Sequence, residues 1–424
     1  MVKIEKVVGY QVLDSRGRPT VAAAITLADG TTHTARVPSG ASTGKHEAKE
    51  LRDGNSPTAN KFYQGKSVNQ AITNINNLIA PTLLDKQISL SDVDTQLVDL
   101  DPTEDHSKLG ANATLAVSLA AAIADAHSQN KSLVRFFNGE GDLEIPMPMV
   151  NILSGGAHAG RTLDIQDVLI VPTGAITFTE ALSWIVAIRE AAAVMGAADG
   201  KVTHLIADEG GLGIPFASVD AACDFVVKVI ESVGLNPGSD VSIALDIAST
   251  QFFDGSKYNL KTEGKSFYSN EFVNYISTLV NNQPIISIED PFAEDDWAAW
   301  QQFMQMAPAK LQVLGDDLLT TNLERLNKAI AENSANAILI KANQNGLVTS
   351  TLNVLKQARA NNFNTVVSAR SGETEDSWLA DLATGWRAGQ IKVGSTHGSE
   401  RNAKWNRLLE LEATQESVLA NPFN

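Results

Sequence analysis

The chain has 424 residues, with 33 Lys and Arg against 49 Asp and Glu, for a net charge of −16 at neutral pH. That length exceeds one ordinary hydrophobic core and sets an expectation of two to three domains. With 43% hydrophobic and 19% charged residues the composition is that of a folded globular protein, and the acidic balance leaves no surplus of cations to neutralise phosphates, which excludes nucleic acid as a default partner.

Cys223 is the single cysteine, so an internal disulfide framework is excluded and a reducing cytoplasm is expected. Its apolar setting, AACDFVV, predicts a buried, inert thiol. In chain order, MVKIEKVVGYQVLDSRG has no sustained apolar stretch, and no signal peptide is read there. Residues up to ~135 mix period-two runs (KIEKVVGYQVLDS, TVAAAITLADGTTHTARV) with helical patterns around 70–85 and 109–127, which suggests a small α+β domain. The most apolar window, Leu115 to Ala124, is too short to span a bilayer and is rich in Ala and Ser. It predicts a closely packed core helix and no transmembrane segment. Two glycines and two prolines in FFNGEGDLEIPMPM interrupt any regular element and place a boundary near Gly141, giving domains 1–140 and 141–424.

Beyond Ala217 short apolar runs (VSIALD, PIISIED, LQVLGDD, NAILIKA, FNTVVSA, QIKVG) alternate with helical segments. Repeated βα units of this length imply a parallel sheet and favour a closed barrel. The runs end on Asp246, Glu289, Asp316, Lys341, Ser368 and Lys392, at intervals of 43, 27, 25, 27 and 24 residues. In a parallel barrel those ends converge on the face where active sites form. Three carboxylates meeting there repel and carry a desolvation cost that a divalent cation removes; an all-oxygen set without His or Cys suits a hard ion such as Mg²⁺.

This explains the most unusual stretch of the chain, IISIEDPFAEDDW, with five carboxylates in eight residues from Glu289 to Asp296. Glu289 is expected to ligate metal, and Asp290, Glu294, Asp295 and Asp296 to shape the loop. Lys341 has two readings from its position alone. It forms a salt bridge to a neighbouring acid, or it is a general base with its pKa pulled down by burial and a nearby metal.

The chain resembles the enolase family, the glycolytic phosphopyruvate hydratases, over nearly its whole length. The segments that carry the likeness include DSRGRPTV (14–21), VPSGASTGKHEA (37–48), LGANATLAVSLA (109–120), GGAHAG (155–160), DEGG (208–211), SIEDPFAEDDW (287–297), GDDLLTTN (315–322), SARSGETED (368–376) and GQIK (389–392). The resemblance implies an N-terminal α+β capping domain on a modified (β/α)8 barrel of the enolase type, in a homodimer or assembly of dimers. It implies a lyase forming phosphoenolpyruvate from 2-phosphoglycerate with two Mg²⁺ per site. Asp246, Glu289 and Asp316 match the ligands of the first ion, and Ser42 matches the mobile-loop ligand of the second. Lys341 matches the base that takes the C2 proton, the lysine-plus-metal solution of enolase-superfamily sites. Glu209 matches the acid that helps the C3 hydroxide leave, with Asp167 and His158 alongside. Gln166 lines the substrate site, Arg370 and Ser371 match phosphate contacts, and Lys392 matches the contact to the substrate carboxylate.

The sequence departs from the family pattern at several positions. Ser154 stands where the family usually has Asn, Asp167 where it has Glu, Ala369 where it has His and Ala207 where it has Gly. Gly-Ile-Pro (213–215) replaces Ala-Pro-Asn, and Arg18 replaces Asn. The metal ligands and the base are kept, while the surroundings of the leaving hydroxyl change. Two further readings therefore accompany the first: a paralogue acting on a related phosphorylated or phosphonylated three-carbon acid, and a silent binding or surface protein that retains the fold. His33, His46, His106, His127, His204 and His397 show no metal-ligand spacing and are expected to be structural.

Overall fold

The computed structural model describes residues 2–41, 43–54 and 62–423, and at His158 the backbone alone. β1 (Ile4–Leu13), β2 (Pro19–Leu27) and β3 (Thr32–Arg36) form an antiparallel meander. Asp14 turns the chain between the first two strands by accepting backbone N–H groups of Arg16 and Arg18, each at 2.9 Å. The Ala- and Ser-rich helix Ala111–Ser128 packs on β2 and β3 and is buried along nearly its whole length, as its small side chains permit. The helical pattern expected around 70–85 forms from Asn69 to Leu83 with a π turn at Ile75–Ile79. Helix Leu90–Leu100, capped by Ser89, escaped the sequence reading because its main buried apolar face is one residue per turn: Leu90, Val93 and Leu97.

β4 (Leu143–Ile145) pairs with the terminal β15 (Ser417–Leu419). The closed barrel is built from β5 (Met147–Ser154), β6 (Asp167–Val171), β7 (Ser242–Asp246), then, after the hairpin β8 (Lys257–Leu260) and β9 (Lys265–Tyr268), β10 (Ile285–Glu289), β11 (Gln312–Gly315), β12 (Ala337–Ile340), β13 (Asn364–Ser368) and β14 (Gly389–Lys392). β6 pairs antiparallel with both neighbours, and the remaining barrel junctions are parallel. The six runs read from the sequence are the last six barrel strands. The first two lie before Ala217, inside the expected barrel domain of 141–424 but in a stretch where no strand runs were picked out. β5 carries Pro148, and only a short 3-10 turn at Gly156–Ala159, not an α-helix, separates it from β6, so the βα alternation that reveals the others is missing there.

Pleating decides what enters the barrel. Met147, Met149, Leu169, Val171, Ala244, Leu314, Ala337, Leu339 and Val366 form a cluster of their own, distinct from the large core around the barrel. In a strand, residues two apart share a face. Continuing the same parity reaches Asn151, Asp167, Asp246, Asp316, Lys341 and Ser368, so every strand that fills the lumen with an apolar residue presents a polar one toward its mouth. Gln312, Ser287 and Gln390 hydrogen-bond to one another in a buried polar layer, and on β10 and β14 the same parity leads from Ser287 to Glu289 and from Gln390 to Lys392.

Among the described residues one helix, Phe178–Ala198, is long and apolar enough to cross a membrane by length and composition. Its Phe178, Ala181, Ile185, Ile188 and Ala192 recur at helical spacing and are buried in the protein's own core.

Candidate active site

The barrel mouth is a polar cleft lined by Gln166, Glu209, Asp246, Asp316, Lys341, Arg370, Ser371 and Lys392, eight of the expected site residues, together with Ala369. Lys392 Nζ stands 2.7 Å from Asp246 Oδ2 and 2.7 Å from Glu289 Oε2, with all three side chains buried. Gln166 also donates to Asp246 Oδ2, at 2.9 Å, and Gln251 donates to Gln166 at 2.8 Å. Lys341 pairs with Asp316 Oδ2, while Gln344 donates to Asp316 Oδ1 at 2.8 Å.

Electrostatics follow from that packing. Burial, then Asp246, pushes the Glu289 carboxyl well above the usual carboxylate range. Its Oε1 is buried without a hydrogen-bond partner among the described residues. Burial pulls Lys341 down, but Asp316 more than offsets this, so the lysine is held above its ordinary value, opposite to the direction expected of a base. Lys392 is likewise raised well above the usual lysine range, its own burial outweighed by Asp246 and Glu289.

Asp290, Asp316 and Asp317 bring carboxylate oxygens within 4.8 Å of one another, a cluster that could hold a metal ion. Of the three expected ligands only Asp316 belongs to it; Asp246 and Glu289 share Lys392. Asp290 has a second occupation, since its two oxygens accept the backbone N–H groups of Asp316 (2.9 Å) and Asp317 (2.7 Å). Burial, then Asp316, pushes Asp317 up to about 8. An orphaned buried oxygen on Glu289, a carboxylate with its proton affinity raised by its neighbours, and an all-oxygen donor set together fit a hard divalent cation.

The rest of the acidic loop is used up in docking. Glu294 accepts Lys45 N at 3.0 Å, Asp295 meets His46 Nε2 at 3.0 Å, and Asp296 accepts Tyr258 Oη at 2.7 Å and Ser269 Oγ at 2.6 Å. These acids shape the loop, as expected, and Glu294 and Asp295 also anchor the GKHEA segment of the N-terminal region to the barrel.

Asp167 sits on β6 opposite Ser154 of β5 and Asp246 of β7. Asn151 donates to Glu209 Oε2 at 3.1 Å. Ser371 Oγ accepts Ala41 N at 2.9 Å. Ser42 and the His158 side chain lie outside the described residues, so the second-ion ligand and that imidazole have no described position.

Several site residues were missed in the sequence reading. Glu47 holds Arg370 in a two-pronged ion pair at 3.0 and 3.2 Å, bringing a carboxylate of the N-terminal region to the mouth. Its place in GKHEA was the only signal. Arg401, fully buried, donates to the carbonyls of Arg370 (2.7 Å), Ser371 (2.7 Å), Val393 (2.9 Å) and Asp208 (3.3 Å). One guanidinium thus ties together the loops that carry Glu209, Arg370 and Lys392, and nothing in its helical surroundings announces that. Cys223 is buried, as expected, with its thiol pushed up by burial.

Two family models match, "Enolase, N-terminal domain" over residues 4–137 and "Enolase, C-terminal TIM barrel domain" over residues 142–420. Together they cover nearly the whole chain, with the second falling on the eight-stranded barrel whose mouth holds the acids and lysines described above. The chain belongs to the enolase family, whose members are lyases of the enolase-superfamily type.

Proposed function

We propose that this protein dehydrates 2-phosphoglycerate to phosphoenolpyruvate in glycolysis, a phosphopyruvate hydratase working with two Mg²⁺ per site. The observation that carries the reading is the facing of two lysines, the largely buried Lys341 and the buried Lys392, against Asp316, Asp246 and Glu289 at the strand ends of one barrel mouth. Asp246, Glu289 and Asp316 would hold the first ion and Ser42 would serve the second. Bound there, Mg²⁺ would neutralise the acids and stabilise the charge that builds on the substrate carboxylate as the neighbouring proton leaves.

With Asp316 so neutralised, Lys341 would lose the partner that holds its proton. Burial, Arg370 and Lys392 then favour the neutral amine that a base requires. In this reading Lys341 Nζ takes the C2 proton. The C3–O bond then breaks as the C2–C3 double bond forms, and hydroxide leaves as water with the proton of Glu209, oriented by Asn151 and with Asp167 and His158 alongside. Gln166 positions the substrate, Lys392 meets its carboxylate, and Arg370 with Ser371 meets its phosphate, for which a guanidinium fork is suited.

Formation of the enol phosphate, followed by its ultraviolet absorbance with Mg²⁺ and then with excess chelator, tests the reading. Product formation that is lost on chelation is expected, slower than C2 proton exchange. C2 proton exchange without product would instead select the second reading, a paralogue acting on a related phosphorylated or phosphonylated three-carbon acid. The short pair Ser154 and Asp167 and the small Ala369 beside Arg370 favour that alternative. The proposal also takes residues 1–140 as the capping domain, 141–424 as the barrel domain, and the protein as a cytoplasmic homodimer or assembly of dimers.

A further inference from the structure

The fold brings together two histidines that lie 94 residues apart in the sequence. His33 lies on β3 and His127 in the last turn of helix Ala111–Ser128, with ring centroids 4.6 Å apart and planes at 42°. Asp29, in the turn between β2 and β3, faces both. Its Oδ2 stands 3.7 Å from His127 Nε2. Its Oδ1 accepts Thr31 N at 2.8 Å and Thr31 Oγ1 at 2.6 Å, and that hydroxyl lies 3.1 Å from His33 Nε2. His127 Nε2 thus faces the pinned carboxylate directly, and His33 Nε2 reaches it through the Thr31 hydroxyl.

We propose that Asp29, His33 and His127 form a site for a borderline divalent transition-metal cation such as Zn²⁺, remote from the barrel mouth. Two imidazole nitrogens and one carboxylate oxygen are a donor set for zinc, in contrast with the all-oxygen set of the barrel that suits Mg²⁺. The side chains of His127 and Asp29 are 45% and 37% exposed, so water completes the coordination shell. The negative end of the helix that carries His127 favours a cation there. Ligation turns the His33 ring from Thr31 to the ion and draws the donors to ~2.0–2.2 Å from it. The bound ion clips the β2–β3 turn to the end of the helix that fills the N-terminal core, and so stabilises the folded chain.

The test uses the full chain in a large excess of Mg²⁺, which keeps zinc from the barrel acids. Zn²⁺ titration by calorimetry, zinc X-ray absorption and thermal melts are compared for wild type, His127→Ala and Asp29→Asn. One equivalent of zinc with the scattering pattern of two imidazoles is expected in wild type, with a melting temperature that rises with zinc. His127→Ala should weaken binding at least roughly tenfold and lose the thermal shift, and Asp29→Asn should weaken binding without loss of fold. Equal zinc affinity in wild type and His127→Ala, or an absorption spectrum with oxygen neighbours only, would overturn the assignment.

Discussion

Ser154 Oγ donates to Asp167 Oδ1 at 2.6 Å across the antiparallel strands β5 and β6, and both side chains are sealed from water. Behind the pair a Cβ on Gly211 would stand 2.3 Å from that hydroxyl. The short serine, the short acid and the glycine therefore fill one space together, at two positions where the family usually has the longer Asn and Glu.

Asp167→Glu alone should be destabilising by about 1–3 kcal/mol, because it adds a methylene to a filled space. Ser154→Ala should cost a similar ~1–3 kcal/mol by removing a donor from a buried carboxylate oxygen. The double variant should be non-additive by ~0.5–3 kcal/mol, since each change relieves or aggravates the other. Urea unfolding of the four proteins measures this, and strict additivity would show that the two side chains do not share the space.

Lys341→Ala should slow exchange of the substrate C2 proton with solvent by ~10²–10⁴-fold. Substrate binding should weaken little, because a base acts in the transition state and its loss falls on kcat more than KM. Deuterium uptake at C2 measures the effect. Wild-type exchange in the variant would move the base to another residue.

The departures at the leaving-group side predict a split between the two half-reactions. Asp167 is one methylene shorter than Glu, a withdrawal of roughly 1 Å that can cost ~10²-fold, while Lys341 is in place. In wild type, C2 exchange should therefore outrun dehydration. Asp167→Glu with Ala369→His should restore dehydration by up to ~10²-fold and by more than either change alone. A wild type that dehydrates as fast as it exchanges would mark both positions as tolerated drift.

Arg401→Met should leave four buried carbonyls without their donor and destabilise the protein by at least ~3 kcal/mol. Arg401→Lys, which keeps the charge but lacks the fork, should retain more stability yet lose activity, because the loops of Glu209, Ser371 and Lys392 are no longer tied to one group. Thermal melts beside steady-state kinetics separate the two. Full activity in a folded Lys variant would reduce Arg401 to a packing role.

His106 supplies a pH dependence away from the acids. It is buried against Gly346, where a Cβ would stand 2.7 Å from the ring, and burial lowers its pKa. Its folded value lies below the ~6.5 of an exposed histidine. The stability that neutral His106 supports is complete above pH ~6.5 and is lost as pH falls toward the folded value, since only the unfolded chain takes up the proton. His106→Gln should be less stable than wild type at pH 8, with the gap narrowing toward pH 5. Urea midpoints across that range check it, and parallel pH profiles would remove His106 from the balance.

The polar mouth of the barrel was legible in the sequence because two local rules coincide. Short apolar runs end on polar or charged residues, and each helical segment returns the chain for the next parallel strand, so Asp246, Glu289, Asp316, Lys341 and Lys392 declare their shared face by spacing alone. The same logic failed at β5 and β6, where the chain turns back without an α-helix and β6 runs against its neighbours. Partnerships were not legible at all. Side-chain types and intervals along the chain cannot say that Lys392 lies between Asp246 and Glu289, that Asp290 is engaged by two backbone N–H groups, that Arg401 gathers four carbonyls, or that His33 meets His127. Each of those depends on distances between segments remote in sequence, and only the closed barrel and the helix laid on the meander bring them within hydrogen-bond or contact range, where burial and Coulomb interaction set the chemistry.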